Sequence, residues 1–376
     1  MQSIAIITKS KFLERDYSRY GIAILKKNFS VDVIDLSIIK SRRSYKFYKS
    51  LKLKKITQPK NLIDLFKILK KKKYDFIIDY SENSLIEIII RFYIKISEAK
   101  IIKYLGGIKP RIFYDDLEYS KTIVETKRIL SWLKYKSLKL LNKYLIDLVI
   151  VTGRDYYYQR SLVDSVKNIL YSHTYDYNTY NKLKKKTNHP KKYFLYIDQN
   201  FINHPDFYIK KRRPFVDQKF YTDLEIFFSK IEKKYKIPVK IAIHPKTTVE
   251  NNIFTNRKRI SKEKTSLLIK NCKHVFAHYS TAISFAVLFK KPMTFLTSND
   301  LKKIRQGYQT KIMSKTLDSQ LLNIDEKKKF KLMNSYNQDR YLNYKQNYVI
   351  HPKSDKKDTW ILLTNYLKKL KYNKDD

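Results

Sequence analysis

Three short stretches of the second half carry side chains of the types needed to handle a phosphate and a proton. His244 follows the apolar run VKIAI, with Pro245 fixing the chain after it and Lys246 adding positive charge. An imidazole titrates near neutral pH, so His244 can stabilise or protonate a departing phosphate, and the three residues together can hold one. In the run HVFAHYSTAISFAVLFKKPMTFL a buried strand delivers His278, Ser280 and Thr281 to the start of an apolar helix that contains Ser284. Backbone N–H groups and the dipole at such a terminus favour an anion, and the hydroxyls add donors. Simple capping by Ser280 or Thr281 is the plainer explanation of the same residues. Asp198 ends the strand YFLYI in the way His244 ends its own. A carboxylate taking a proton from an acceptor hydroxyl, opposite a histidine serving the leaving phosphate, divides the work of group transfer between base and acid. Asp198, Gln199 and Asn200 are also good turn formers, so a structural role competes.

His204 and Asp206, in the loop after YFLYI, stand in reserve. Asp115 and Asp116, with Glu118 in RIFYDDLEYSK, form the densest acidic cluster of the first half. They suit an acceptor-facing wall or the favourable first turn of a helix. Four of the seven histidines, His189, His204, His244 and His351, precede proline, so that dipeptide alone means little. His351 follows the shorter apolar run YVI and is the main competitor of His244.

Other chemistries lack their residues. The five glycines, Gly21, Gly106, Gly107, Gly153 and Gly307, build neither a P-loop nor a GxGxxG turn. There is no Asp-x-Asp pair to hold a metal-bound diphosphate, no HExxH, and one cysteine. Neither a metal nor a cofactor is expected. The net charge of +45, from 80 Lys and Arg against 35 Asp and Glu, fits nucleic acid, an anionic membrane surface, or compositional drift toward Lys, Ile, Asn and Tyr. It is spread along the chain and so selects no partner by itself. The 32 tyrosines interleaved with lysine keep nucleic-acid binding as an alternative function, although nucleic acid is not the expected partner. The lone Cys272, the absence of a signal-type N-terminus and the shortness of the run Val275 to Phe289 point to a cytoplasmic protein, with at most peripheral contact at the inner face of the membrane.

These residues need a scaffold of parallel strands that end at a common edge. SIAIIT, VDVIDLS, YDFIIDY, KIIKYLGG and LIDLVIVTG read as strands alternating with helices in residues 1–180. NKLKKKTNHPKK, residues 181–192, has almost nothing apolar and reads as a linker. YFLYI, VKIAI, HVFA and MTFLT read as strands of a second unit, residues 193–350. Thr222 and Glu225 suggest a capping box opening a helix that buries Leu224, Phe227, Phe228, Ile231 and Tyr235. Ser261 to Asn271 and Thr281 to Phe289 read as helices, and 351–376 as a tail whose Trp360, Leu363 and Leu367 pack on a domain surface. The expected fold is α/β, with two Rossmann-like domains.

From Tyr193 to Thr297, and above all in IAIHPK and AHYSTAISFAVLFKKP, the chain resembles bacterial GT-B glycosyltransferases of surface polysaccharide synthesis, in particular sialyltransferases and Kdo transferases that use CMP-activated sugars. The resemblance implies two domains facing across a cleft, a nucleotide sugar as donor, and a glycan or lipid-linked glycan as acceptor. It implies that His244, Ser280 and Thr281 handle the donor, and that an acidic residue, here Asp198, is the base or nucleophile. YIDQN lacks the acidic-acidic-Gly pattern of several members. A GT-B-like sugar epimerase or an inert relative shares the same architecture.

Overall fold

A computed structural model describes the chain except residues 41–55, 82–83, 107–108, 111–120, 157–159, 186–191, 205–206, 208–210, 212, 246–252, 262, 327–329 and 373–376. The chain divides into two compact units, the first made of Met1–Gly106, Lys121–Tyr175 and His351–Asp376, the second of Gly107–Ser120 and Asp176–Ile350.

The first unit is built on seven strands: β1 (Ser3–Thr8), β2 (Ser30–Asp35), β3 (Ile56–Thr57), β4 (Phe76–Asp79), β5 (Lys100–Leu105), β6 (Leu148–Val151) and β7 (Asn168–Tyr171). They lie in the order β3-β2-β1-β4-β5-β6-β7, every pair parallel. Helices cover both faces, so β4 and β6 are buried at every position and, apart from Asp79 at the end of β4, read as continuous apolar runs. One face packs Leu65, Leu69, Ile90, Ile94 and Leu145 from the crossover helices. The other packs Ile22 and Leu25 together with Trp360, Leu363 and Leu367 of the last helix, Thr359–Tyr372. The expected helical tail is therefore the outer layer of the first unit. It comes so close at Gly21, where φ is +61°, that a Cβ there would lie 2.0 Å from the Trp360 ring. Only glycine suits both the left-handed backbone and the indole.

The second unit carries β8 (Phe194–Ile197), β9 (Val239–Ala242), β10 (Ile260–Ser261), β11 (His274–Ala277), β12 (Met293–Thr297) and β13 (Gln320–Asn323). Their order is β10-β9-β8-β11-β12-β13, again wholly parallel. The order reverses between β8 and β11, and the crevice beyond the carboxyl ends of two such strands is where open α/β sheets take ligands.

Several local expectations need correcting. The helix expected to start at Thr222 is Gln218–Tyr235, capped by Asp217, whose carboxylate accepts from the Phe220 N–H. Thr222 lies inside it, and Glu225 pairs with buried Arg259 rather than closing a capping box. Its apolar stripe is core as expected, with Leu224, Phe227, Phe228 and Ile231 buried. Helix Thr265–Asn271 starts later than expected because Ser261 ends β10. The expected linker begins as the end of helix Tyr175–Lys184, whose Leu183 carbonyl accepts from Lys270 at 2.8 Å.

Candidate functional site

The loops that leave β8, β9 and β11 surround a cavity of about 570 Å³ within the second unit. His204 and His244 stand on one side with ring centres 4.7 Å apart. Ser280 and Thr281, after β11, also line it. Gln306 and Gln309 reach it from helix Arg305–Thr316. That helix can start so close to the preceding turn only because residue 307 is glycine, where a Cβ would meet the Leu301 carbonyl oxygen at 1.9 Å. Phe201, Phe207, Phe215 and Tyr279 supply apolar surface, with Phe207 and Phe215 meeting edge to face at 4.7 Å.

Lys109 completes the lining. Its ammonium sits 4.2 Å from the centre of the Tyr279 ring, and burial lowers its pKa to about 8. Tyr279 is itself held, its hydroxyl donating to the Pro110 carbonyl at 3.4 Å and its own carbonyl accepting from the Gln199 amide. Among the described lining residues there is one lysine, two histidines, hydroxyls and amides, and no carboxylate. Such a set receives an anion with flanking aromatic surface for a planar or sugar ring.

His244, Ser280, Thr281 and the reserve residue His204 therefore come together. Asp198 ends its strand at the expected edge, but its carboxylate turns inward and is 4% exposed. It accepts from the Asn200 N–H at 3.0 Å and the Tyr221 hydroxyl at 3.3 Å, and the backbone of Gln199 and His244 also bonds to it. Burial raises its pKa to about 6, against the lowering effect of those donors. Asp198 thus pins the ends of β8 and β9 beneath the cavity.

His278 is wholly buried, its Nε2 3.0 Å from the Tyr196 hydroxyl and its ring packed on Phe201. Burial lowers its pKa to about 4, so it is a neutral core residue and not a lining one. Ser284 is buried behind the loop, against Tyr344. Pro245 is exposed just past the lining. His351 lies in the first unit, stacked on Tyr171 at 4.1 Å. Lys246, Asp206, Asp115 and Asp116 lie outside the described residues.

The helix after Thr281 is Ile283–Leu288, shorter than expected, because Ser280 to Ala282 form a turn in which the Ser280 hydroxyl accepts from the Ala282 N–H at 3.3 Å. Anion affinity in this cavity then rests on side chains more than on a helix dipole. Lys109, Gln306 and Gln309 were not legible in the sequence, since none lies in a motif or at the end of a recognised strand. Among the described residues no group of three His, Cys, Asp or Glu is arranged to hold a metal ion.

No family model matches the chain, and no curated protein matches it. Solved structures do. Two structures of the wall teichoic acid polymerase TagF match over 100% of this chain and 90% of theirs, with TM-scores of 0.56 and 0.55 at 10% and 12% identity. A structure of S. aureus MnaA with UDP matches over 100% of this chain and 97% of that one, with a TM-score of 0.51 at 12% identity. The fold is GT-B. The two parallel sheets of seven and six strands are its two Rossmann-like units, and the cavity lies at the switch point of the second.

Proposed function

We propose that this GT-B protein is a metal-independent glycosyltransferase that takes a sugar from a nucleotide donor and passes it to a surface glycan. One observation carries the reading: two histidines, a lysine and two hydroxyls converge, with no carboxylate among the described lining residues, on a cavity at the switch point of the second sheet. Support also comes from two proteins of the same fold, one solved with UDP and one a polymerase of wall teichoic acid.

Lys109, Ser280 and Thr281 receive the donor phosphates. The aromatic wall and the Gln306 and Gln309 amides take the base and sugar. An acceptor oxygen attacks the anomeric carbon as the bond from that carbon to the phosphate oxygen breaks, the electron pair leaving with the nucleotide. His244 protonates or hydrogen-bonds the departing phosphate, and His204 takes the proton of the acceptor hydroxyl. Asp198 holds the His244 backbone in place. The CMP-sugar specificity of the sialyl and Kdo transferases is one choice of donor that this site admits.

A thermal-shift series with CMP, UDP, GDP and ADP tests the reading. One nucleotide should stabilise the wild-type protein by about 2 to 3 kcal/mol at a hundredfold excess over its dissociation constant. His244→Ala should lower sugar transfer from the matching donor by about 100- to 10,000-fold. If no nucleotide moves the unfolding temperature, or the variant transfers sugar at the wild-type rate, the proposal fails.

A further inference from the structure

Helix Leu85–Ile96 of the first unit is built inside out. Toward the sheet it buries Glu87 and Arg91, each 1% exposed, beside Ile90 and Ile94. The two charges are met inside, Glu87 by Lys40 at 2.7 Å and Arg91 by Asp79 at 2.7 Å. Outward, at spacings of four, three and four residues, it presents Leu85, Ile89, Phe92 and Ile96, exposed by 78%, 50%, 46% and 79%. Those spacings place all four on one narrow stripe. A surface helix normally turns the opposite way, and a contiguous exposed apolar face marks an interaction site.

The next helix, Lys121–Leu145, continues the pattern. Leu130, Leu133, Leu140 and Tyr144 are each more than half exposed and share a second stripe. Trp132, Lys136 and Lys143 form the row beside it, all exposed, with the Lys136 ammonium 5.6 Å from the centre of the Trp132 indole. Helix Leu62–Lys71 adds exposed Ile63 and a row of exposed lysines, Lys67, Lys70 and Lys71. The three helices form one layer. Leu65, Ile90 and Leu145 enter the same core on one face of the sheet, and Phe66 stacks on Tyr93 at 4.0 Å. Nearby acids are engaged, Asp64 with the Lys60 N–H at 2.9 Å and Asp147 with the Lys95 ammonium at 2.6 Å.

We propose that this helical layer docks the protein on an anionic lipid surface. Leucine, isoleucine, phenylalanine and tryptophan on the outer face enter the boundary between headgroups and acyl chains, and the lysine rows meet the headgroup charge. Among the described residues no helix is long and apolar enough to cross a membrane, so the contact is one of lying on the surface. Charge decides the occupant. A second copy of a chain carrying +45 would set these lysine rows against like charge, whereas an anionic bilayer neutralises them. The inference is independent of the transfer chemistry in the second unit.

The test is co-sedimentation of the full chain with phosphatidylcholine vesicles and with vesicles containing about 30 mol% phosphatidylglycerol. The wild-type protein should bind the anionic vesicles and bind the neutral ones far less. The triple variant Leu85→Ser, Phe92→Ser, Ile96→Ser should lose about 100-fold or more in partitioning. Lys136→Gln with Lys143→Gln should lose about 30-fold on anionic vesicles only. All substituted residues are exposed, so unchanged unfolding temperatures will show that the variants fold. The proposal is overturned if the wild-type chain stays in the supernatant with both vesicle types, or if the triple variant binds as well as wild type. It is likewise overturned if sedimentation equilibrium shows a wild-type dimer that the triple variant converts to monomer while vesicle binding is unchanged.

Discussion

The two sheets of this GT-B fold treat the carboxyl ends of their strands differently. In the first unit, Asp35 ends β2 and Asp79 ends β4, and both are sealed. Asp35 accepts from the Ser37 and Phe12 N–H groups and from Gln58. Asp79 accepts from the Ser81 N–H at 2.7 Å, from Arg91 and from Lys103. In the second unit Asp198 comes directly after β8 and bonds in the same way to the N–H two residues on. All three are strand-end anchors. The difference lies in the surrounding loops: in the second unit, histidines, hydroxyls and a lysine gather around a cavity of about 570 Å³ beyond the anchor. An acid at the end of a parallel strand is therefore not evidence of catalysis, and the residues beyond it are what mark the site.

The anchors also differ in charge balance, and that gives the sharpest way to break the comparison. Burial would raise the Asp79 carboxyl, but Lys103 and then Arg91 hold it well below the usual range, and burial brings Lys103 itself down to about 8. Asp79→Ala would leave two buried cations without their carboxylate, which should cost about 3 to 5 kcal/mol. Hydrogen exchange should show β1, β4 and β5 opening more readily in the variant, while nucleotide response in the second unit persists. A loss below about 1 kcal/mol would mean that water reaches the cluster.

Among the described residues no cation pairs with Asp198, and burial raises its pKa to about 6. An acid whose pKa is higher folded than unfolded binds its proton more tightly in the folded state. Its favourable contribution is complete below about pH 4 and is lost as pH rises through about 6. Asp198→Asn keeps an acceptor oxygen for the backbone donors and removes the ionisation. The variant should therefore match wild type near pH 4 and exceed it by about 1 to 3 kcal/mol above pH 6.5. Unfolding temperatures of both proteins across pH 4 to 8 check this. A gap that stays constant with pH would show that Asp198 does not ionise in this range, and the contrast with Asp79 would collapse.

Much of the architecture was legible because buried parallel strands are mostly apolar: SIAIIT, YFLYI, VKIAI, HVFA and MTFLT each contain one. The weaker β7 and β13 were not recognised, since NILY and QLLN are only half-buried edge strands without a distinctive run. In the site, His244, Ser280 and Thr281 could be found because each comes just after a recognisable strand. Side-chain direction could not. One residue decides whether a group faces the cavity or the core, which is why His278 points into Phe201 and Tyr196 while Tyr279, the next residue, lines the cavity. Lys109 is distant in sequence from every other lining residue, and only the fold brings it there.

Lys109 provides the finest distinction, drawn between two lysines whose pKa burial brings down to about 8. Lys103 in the first unit is locked to Asp79, whereas Lys109 faces the cavity with its pKa lowered to about 8 by burial alone. It is cationic below that pH, so donor affinity should fall as pH rises through about 8, because a bound phosphate favours the charged form. Lys109→Gln should bind the donor about tenfold more weakly at pH 7 and show a flatter profile between pH 7 and 9. Titration of the nucleotide against both proteins across that range separates the contributions. Equal affinity with an unchanged pH profile would leave anion recognition to His204, His244 and the two hydroxyls, and the cation beside Tyr279 would then serve packing alone.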